Sequence, residues 1–338
     1  RRPDKPEFSV NYFTETTNEV VDSDYEFADN PGFLGSLTGL DQPADLLPGS
    51  TLYFRKKATS SQFKSEIKSL DLPPRPPAPD IGLNFIDETT QVIPENHMYS
   101  QNEDFARFQV GNGSTVPMDP GSVLYIKKNA TSSSFVSEVQ CLTAPPRPSA
   151  PNITIDYIHE TTIENIPASI LYSTNQNMDN TLTGSGKPIS LTPGSILYFQ
   201  RMASDSNYVS DILEMVIPDR PLLSSSIDGT TNMAPVPVII QFPGPVTGFS
   251  SEDINITNGR VDSIIGTYTA FVSPLTDGYV FLFIPPNVVE EGNFTSYNFS
   301  FLANLGTDVE LNRYSDLRVY PTLVNNKIHL EYTGAASR

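Results

Sequence analysis

The sequence predicts an all-β protein, built as a tandem array of small antiparallel modules, and three observations support this prediction. Apolar and polar residues alternate in short runs, such as Ile-Thr-Ile-Asp-Tyr at 153–157, which is the pattern of a half-buried strand. The 338 residues include 30 prolines and 20 glycines, so turns are frequent. Short motifs recur every 72 or 73 residues, and no helical period of useful length is present.

Three independent motifs mark the repeat. They are Arg-Pro at 2–3, 75–76, 147–148 and 220–221, Glu-Thr-Thr at 15–17, 88–90 and 160–162, and Pro-Gly-Ser at 48–50, 120–122 and 193–195. Because separate markers share one period, the chain is predicted to contain three tandem units and a different C-terminal part. The predicted boundaries are 1–73 (repeat 1), 74–145 (repeat 2), 146–218 (repeat 3), 219–304 (the fourth module) and 305–338 (the tail).

Each repeat is predicted to be a β-sandwich of six or seven strands, similar to immunoglobulin or fibronectin type III domains. One strand follows each Pro-Gly-Ser turn, and an aromatic residue followed by Ser and an acid closes each unit. Proline-rich joints at 72–80, 144–152 and 217–223 separate the units. Proline fixes φ and favours extended conformations, so stiff joints and an extended rod are expected.

Composition excludes several classes of function. The chain has 39 acidic and 21 basic residues, and its net charge of −18 disfavours a nucleic-acid partner. This charge is spread as −4 in each repeat and −6 in the rest. The single cysteine excludes a disulfide framework, and no apolar run approaches the ~20 residues of a transmembrane segment. The first ten residues contain no apolar run, so no signal peptide is predicted within them. Because Arg2-Pro3 is itself a joint motif, further repeats or another domain are expected upstream.

The sequence predicts no catalytic and no cofactor-binding residues, so the chain is predicted not to be an enzyme. His97, His159 and His329 lie in different units without metal-ligand spacing, and all three are expected at the surface. Cys141 has no partner that would make it a nucleophile, although a glycosidase-like carboxylate pair stays open.

The recurring acidic residues are expected to cap turns or to pair with basic residues of an adjacent strand. Basic clusters at 55–57 and 127–128 are expected to deter edge-to-edge aggregation of strands. Calcium is the one possible cofactor, since clustered carboxylates suit this cation. The weak candidate ligands are Asp22, Asp24, Glu252 and Asp253.

The fourth module resembles the bacterial Ig-like domains that occur in tandem in large surface adhesins. The resemblance rests on residues 249–256, Asn258-Gly259, 268–272, Asp277-Gly278, Ile284-Pro285 and Gly292-Asn293. Asn258-Gly259 and Asp277-Gly278 are read as hairpin turns, and 280–284 as a buried strand.

The repeats and the tail resemble two further families. The Leu-Tyr-Phe-Arg-Lys-Lys-Ala-Thr line at 52–59 and its sister lines are similar to repeats in long cell-surface proteins of Bacteroidetes. The run Leu317–Ile328 resembles the opening of a type IX secretion sorting domain, although Thr322 and Leu323 depart from the pattern. The alternative is that this run forms the last strand pair of the preceding sandwich. These resemblances imply a surface location and export across an outer membrane by that secretion machinery, and they imply no chemistry.

The sequence therefore favours a non-catalytic stalk or adhesin segment of a large secreted or surface-anchored bacterial protein. Such a segment would hold a functional domain away from the cell or mediate adhesion to an extracellular glycan or protein. The alternative is a set of glycan-binding accessory modules of a secreted polysaccharide-degrading enzyme. A hydrolase is a distant third reading.

Overall fold

A computed structural model describes residues 2–227 and 229–306, and the described chain is all-β. Its one helical element is a 3-10 turn at Ser251–Asp253. Two compact units form. The first contains the described residues up to Pro151 together with Gln200–Leu213, and the second contains Asn152–Phe199 and the described residues from Glu214 onward. The division runs through repeat 3, and the module boundaries drawn from the sequence stay a prediction.

Within the described ranges, no helix is long and apolar enough to cross a membrane.

Repeat 1 contains six strands in two antiparallel sheets. A two-stranded sheet pairs β1 with β2, and a four-stranded sheet has the order β4-β3-β5-β6. The strands are β1 Val10–Asn11, β2 Thr16–Thr17, β3 Tyr25–Ala28, β4 Leu37–Thr38, β5 Thr51–Lys56 and β6 Lys68–Asp71. The long strand β5 follows the Pro-Gly-Ser turn, as the sequence predicts.

Repeats 2 and 3 contain the same series of six strands with the same lengths. In repeat 2 the sheets are β7-β8 and β10-β9-β11-β12. Its strands are β7 Leu83–Asn84, β8 Thr89–Thr90, β9 His97–Ser100, β10 Gln109–Val110, β11 Val123–Lys128 and β12 Gln140–Thr143. Those of repeat 3 are β13 Ile155–Asp156, β14 Thr161–Thr162, β15 Ile170–Ser173, β16 Leu182–Thr183, β17 Ile196–Arg201 and β18 Leu213–Val216. The prediction of small antiparallel modules is confirmed, and each repeat contains six strands, within the predicted six or seven.

A glycine in each repeat allows two backbone segments to approach closely. At Gly111, a Cβ atom would lie 2.2 Å from the carbonyl oxygen of Pro94. Gly39 and Gly184 occupy the same place in the sister repeats, with equivalent distances of 2.1 and 2.3 Å. Any side chain there would collide with backbone, so these positions require glycine.

The fourth module is a sandwich of two four-stranded sheets. Their orders are β19-β21-β24-β23 and β20-β26-β25-β22, and all pairs are antiparallel except β20 with β26. The strands are β19 Leu222–Ser224, β20 Thr230–Thr231, β21 Val236–Gln241, β22 Asn255–Thr257, β23 Gly259–Ile265, β24 Thr269–Pro274, β25 Gly278–Phe283 and β26 Phe299–Ala303. Alternating residues of β21, β24 and β25, such as Val238, Val272 and Val280, fill the core between the sheets.

Both hairpin predictions in the fourth module are wrong. Asn258 lies between β22 and β23, and Asp277 lies between β24 and β25, and in both cases the two strands belong to different sheets. The chain therefore changes sheet at each site instead of folding back as a hairpin. The Asn258 side chain holds the two loops together, since its Oδ1 accepts from the backbone N–H and the hydroxyl of Thr276.

The strand predicted at 280–284 exists, but it is not buried on both faces. In β25, Val280 and Leu282 are buried, whereas Tyr279 and Phe281 are 47% and 43% exposed. The uninterrupted apolar run hides this alternation, because both faces carry apolar residues.

The basic cluster at 55–57 does not protect a sheet edge, so that explanation is wrong. Its first two residues lie in β5, which has β3 on one side and β6 on the other. Arg55 instead donates from Nε to Glu26 at 2.6 Å and covers the ring of Phe33 at 3.7 Å. Burial would raise the pKa of Glu26, but the hydrogen bonds from Arg55 and Lys64 lower it below its usual value.

His97 is buried, contrary to the surface position expected from the sequence. It begins β9 opposite Lys128 of β11, and its Nδ1 lies 2.7 Å from Oδ1 of Asn96. Burial, and then the positive charge of Lys128, lowers the pKa of His97 below its ordinary value.

This lowered pKa predicts that the chain loses stability as the solution is acidified. The unfolded chain binds the proton more tightly than the folded chain, so the contribution is present above the unfolded pKa of about 6.5 and is lost as the pH falls through the folded value. We expect the denaturant concentration at the midpoint of unfolding to decrease when the pH is lowered from 7.5 to 5.5. His97→Tyr, which places there the residue of repeat 1 (Tyr25), should flatten this dependence. His159→Thr is the exposed control, and an equal effect of both variants would contradict the prediction.

Candidate functional site

The glutamate of each Glu-Thr-Thr motif lies in a tight loop between the first two strands of its repeat. In repeat 1, Asn11 begins the loop and its side chain accepts from the backbone N–H of Phe13 at 3.1 Å. Glu15 ends it in the left-handed region, with φ +58°. This conformation costs a residue with a Cβ atom about 1–2 kcal/mol, so the surroundings must hold it. Leu46 contributes by donating its backbone N–H to the carbonyl of Glu15 at 2.8 Å.

The second threonine of the motif anchors the same loop from inside. Thr17 is buried, donates its hydroxyl to the carbonyl of Glu19 and accepts the backbone N–H of Ala44 at 3.0 Å. Both parts recur in the sister repeats. There Glu88 and Glu160 have φ values of +53° and +55°, and Thr90 and Thr162 are buried. The motif is therefore a device that fixes the direction of one carboxylate.

The arginine of the Arg-Pro motif grips this carboxylate from the next repeat along the chain. Arg75 of repeat 2 donates from both terminal nitrogens to the two oxygens of Glu15, at 2.7 and 2.8 Å. Its Nη1 also donates to the carbonyl of Val136, within repeat 2, at 3.0 Å. The hydrogen bond to Glu15 raises the pKa of Arg75. One guanidinium thus joins the carboxylate of one repeat to the backbone of the next.

The same link occurs at the other two joints. Arg147 binds Glu88 at 2.9 Å and the carbonyl of Val209 at 3.0 Å. Arg220 binds Glu160 at 2.7 Å and the carbonyl of Thr295 at 3.0 Å. The first two joints lie within the first compact unit and the third within the second. We call these three contacts the Arg–Glu links.

An aromatic residue at each joint completes the core of the preceding repeat. Phe135 of repeat 2 belongs to the buried cluster of repeat 1, and its ring lies 4.9 Å from that of Tyr12. Tyr208 of repeat 3 belongs to the buried cluster of repeat 2, with its ring 5.0 Å from that of Phe85. Burial raises the pKa of Tyr208. We call these residues the anchor aromatics.

A buried serine fixes each anchor aromatic on its own module. Ser137, two residues after Phe135, accepts the backbone N–H of Lys128 at 2.8 Å and donates to the carbonyl of Glu138. The backbone N–H of Glu138 in turn donates to the carbonyl of Pro76, which follows Arg75, at 2.9 Å. The aromatic residue and the arginine are therefore held in fixed positions relative to each other where they contact the preceding repeat. We call the arginine, the aromatic residue and the serine of a module its docking end.

The fourth module uses the same end, although its sequence does not follow the repeat. Phe294 is the anchor aromatic of this module. It is fully buried, and its ring centroid lies 5.1 Å from that of Tyr157 of repeat 3. Ser296 accepts the N–H of Ile284, and the N–H of Tyr297 donates to the carbonyl of Pro221. Sequence reasoning missed this match. The available signal is Phe-Thr-Ser at 294–296. In this module the aromatic residue follows the joint arginine by 74 residues, whereas in the repeats this separation is 60 or 61 residues.

The recurring glutamates have a structural role of a different kind from the one expected. They pair with the joint arginine of the next module, not with a basic residue of an adjacent strand. The second set of acids, at 66, 138 and 211, is exposed, and each donates its backbone N–H to the carbonyl of the proline that follows the joint arginine. The carboxylate of Glu138 also lies 3.8 Å from Nε of Arg75.

The candidate calcium ligands are half-buried or exposed, and three of the four have local partners. Asp22 accepts the backbone N–H of Asp24 at 2.8 Å, and Asp24 lies 3.4 Å from Nζ of Lys56. Asp253, next to Glu252, closes a capping box with Ser250. No group of three or more metal-ligating side chains occurs within residues 2–227 and 229–306. Calcium binding at these carboxylates stays a prediction.

The remaining candidate groups are scattered. Cys141 is exposed, and the imidazole of His159 lies at the surface, 2.8 Å from Asp156. His329 and the predicted sorting segment Leu317–Ile328 fall outside the described residues. One cleft of about 460 Å³ lies between Thr230–Asn232 and Asn304–Gly306, and none of its lining side chains titrates.

Comparison with known proteins identifies no family for this chain. No family model matches it, and no curated protein matches it. Among solved structures, it is similar to the FN1-FN3 domains of chicken CNTN1, at 13% identity over 64% of this chain and 100% of that chain, with a TM-score of 0.18. It is also similar to the S-layer protein rSbsC(31-844), at 10% identity over 87% of this chain and 52% of that chain, with a TM-score of 0.17. Because both TM-scores are low, the description of the modules rests on their own strand order and contacts.

The anchor aromatics predict a sharp contrast between equivalent residues. Phe135→Ala and Tyr208→Ala should each lower the free energy of unfolding by about 3–5 kcal/mol, because each leaves a cavity in the core of the preceding repeat. Phe63→Ala changes the equivalent residue of repeat 1, which is 72% exposed, and should cost no more than about 0.5 kcal/mol. Denaturant unfolding of the three variants measures the difference. Equal costs for Phe63→Ala and Phe135→Ala would show that the anchor position carries no special burial energy.

Proposed function

We propose that this chain is a non-catalytic segment of a stalk or adhesin array in a secreted or surface-anchored bacterial protein. It would hold a functional domain away from the cell or mediate adhesion. The observation that carries the proposal is the joint: an Arg–Glu link and an anchor aromatic recur where each module meets the next. Machinery of this kind resists bending between neighbours, and it leaves the exposed surface of each module free.

The energetics of the joint suit a segment that must keep its modules aligned. An anchor aromatic cannot leave its site without opening a cavity in a neighbour's core. The Arg–Glu link is bidentate at Glu15, which fixes orientation as well as distance. Since Arg75 is 25% exposed, solvent weakens the pair, and the aromatic supplies most of the stability. The ion pair therefore sets the relative orientation of neighbouring modules, and the buried ring stabilises the contact between them.

The finer parts of the proposal rest on the sequence resemblances. The repeat lines support a cell-surface protein of Bacteroidetes, and the segment Leu317–Ile328 supports export through type IX secretion. The mildly acidic charge, which is spread over all modules, would keep separate chains soluble.

Small-angle X-ray scattering tests the stalk directly. A compact chain of this length has a radius of gyration of about 20 Å, and a stiff array should exceed this by at least about one half. Arg75→Ala with Arg147→Ala removes two links and should broaden the distribution of interatomic distances. Arg260→Ala is the control, because its ion pair with Asp262 lies on the surface of the fourth module. A compact parent particle would rule out the stalk.

One observation favours glycan binding as the second candidate function. Tyr279 and Phe281 are about half exposed on one face of β25, and their ring centroids lie 5.8 Å apart with an interplanar angle of 31°. Two neighbouring exposed rings on one face of a strand can stack against sugar rings.

A glycan panel tests this second function. Binding that is lost in Tyr279→Ala and in Phe281→Ala, and kept in Tyr297→Ala, would support it, since Tyr297 is a comparably exposed tyrosine of the same module. Binding that survives both changes would place any glycan contact elsewhere.

A further inference from the structure

The first repeat carries a complete docking end that covers nothing within the described chain. Phe63 holds the position of the anchor aromatics Phe135, Tyr208 and Phe294. Those three are at most 1% exposed, whereas Phe63 is 72% exposed. A large ring exposed to this extent is unfavourable in water, and its three counterparts are all covered by the same kind of surface.

The parts that hold an anchor aromatic in place are already formed around Phe63. Ser65 is buried, accepts the backbone N–H of Lys56 at 2.8 Å and donates to the carbonyl of Glu66. The backbone N–H of Glu66 lies 3.4 Å from the carbonyl of Pro3. This arrangement matches that at the other three modules, so Phe63 is preorganised for docking and is not an incidental surface residue.

The charged part of the docking end is also present. Arg2 precedes Pro3 as Arg75, Arg147 and Arg220 precede their prolines, and it is exposed. At the three described joints the arginine always meets a glutamate held at positive φ, three residues after the aromatic ring that the anchor contacts. The complement of Arg2 and Phe63 is therefore defined: an aromatic-x-x-Glu-Thr-Thr loop.

We infer that the surface formed by Arg2 and Phe63 is a docking site for a further module of the same design, joined directly ahead of Arg2. The module would insert the Phe63 ring into its own core, next to its loop aromatic, and its glutamate would accept from the Arg2 guanidinium. Charge complementarity and identity with three existing joints select this occupant over a second copy of the chain. In a second copy the three Glu-Thr-Thr loops are already occupied. This inference extends the proposed array by one joint and rests on that proposal.

The test adds one module to the full chain. A copy of residues 74–145 is placed ahead of Arg1, so that Arg2 stands where Arg147 stands after the native repeat 2. The readout is hydroxyl-radical labelling of individual phenylalanine rings, measured by mass spectrometry. Labelling of Phe63 should fall at least about five-fold relative to the parent chain, because docking removes water from the ring. Phe13, which is 69% exposed in the same repeat, is the internal control and should be labelled equally in both chains.

A pair of variants shows whether any protection comes from docking. Phe63→Ala should lower the Tm of the extended chain by several degrees and leave that of the parent unchanged. Glu88→Ala in the added module alone should partly restore labelling of Phe63. A second extended chain, with a copy of residues 146–218 as donor, covers the case in which the first added module does not fold.

The inference is overturned if Phe63 is labelled as strongly in both extended chains as in the parent. It is also overturned if Phe63 of the parent becomes protected in a concentration-dependent dimer, since a second copy would then be the occupant. Neither result would contradict the proposed array itself. That proposal is tested separately, by the loss of unfolding free energy in Phe135→Ala and by the radius of gyration of the parent chain.

Discussion

The structure of each repeat depends on one ring that the repeat does not itself provide. The cores of repeats 1 and 2 are closed by Phe135 and Tyr208, which belong to the following repeats. A unit of about 72 residues buries a smaller fraction of its surface than a larger domain does, so its own core is marginal. An aromatic side chain from the neighbour adds one of the largest apolar groups in the cluster. Folding of one repeat is therefore coupled to docking of the next, because both bury the same aromatic ring.

This coupling runs in one direction along the chain. Each described joint takes its ring and its arginine from the following module, and its carboxylate and the receiving core from the preceding one. The stability of such an array is approximately a sum of module terms and nearest-neighbour terms, as in other repeat proteins. Here the neighbour terms are concentrated in a few side chains. The bodies of the modules can therefore vary without weakening the array.

The sequence was sufficient to predict the general architecture and insufficient to predict the joint. Period, alternation and turn residues predicted tandem antiparallel modules, because these patterns follow from local geometry. Glu15 and Arg75 are 60 residues apart, and the pairing of two recurrent charges at that distance is not encoded in any local pattern. The burial of His97 was missed for a related reason. Its sister positions are Tyr25 and Ile170, whose apolar character marks the site as a core position, whereas a histidine taken alone is more typical of a surface.

The fourth module shows that the docking end is separable from the fold that carries it. Its two four-stranded sheets differ from the sheets of the repeats, yet Arg220, Phe294 and Ser296 make the contacts of their counterparts. Gly292 adds a local adjustment, since a Cβ atom at this position would lie 2.2 Å from the ring of Tyr157. A different fold thus docks on the same kind of surface. It has more residues between the arginine and the aromatic residue, and a glycine where the two modules approach most closely. The requirement for joining this array is therefore the geometry of three side chains and one backbone carbonyl, and the remainder of a module is free to serve another purpose.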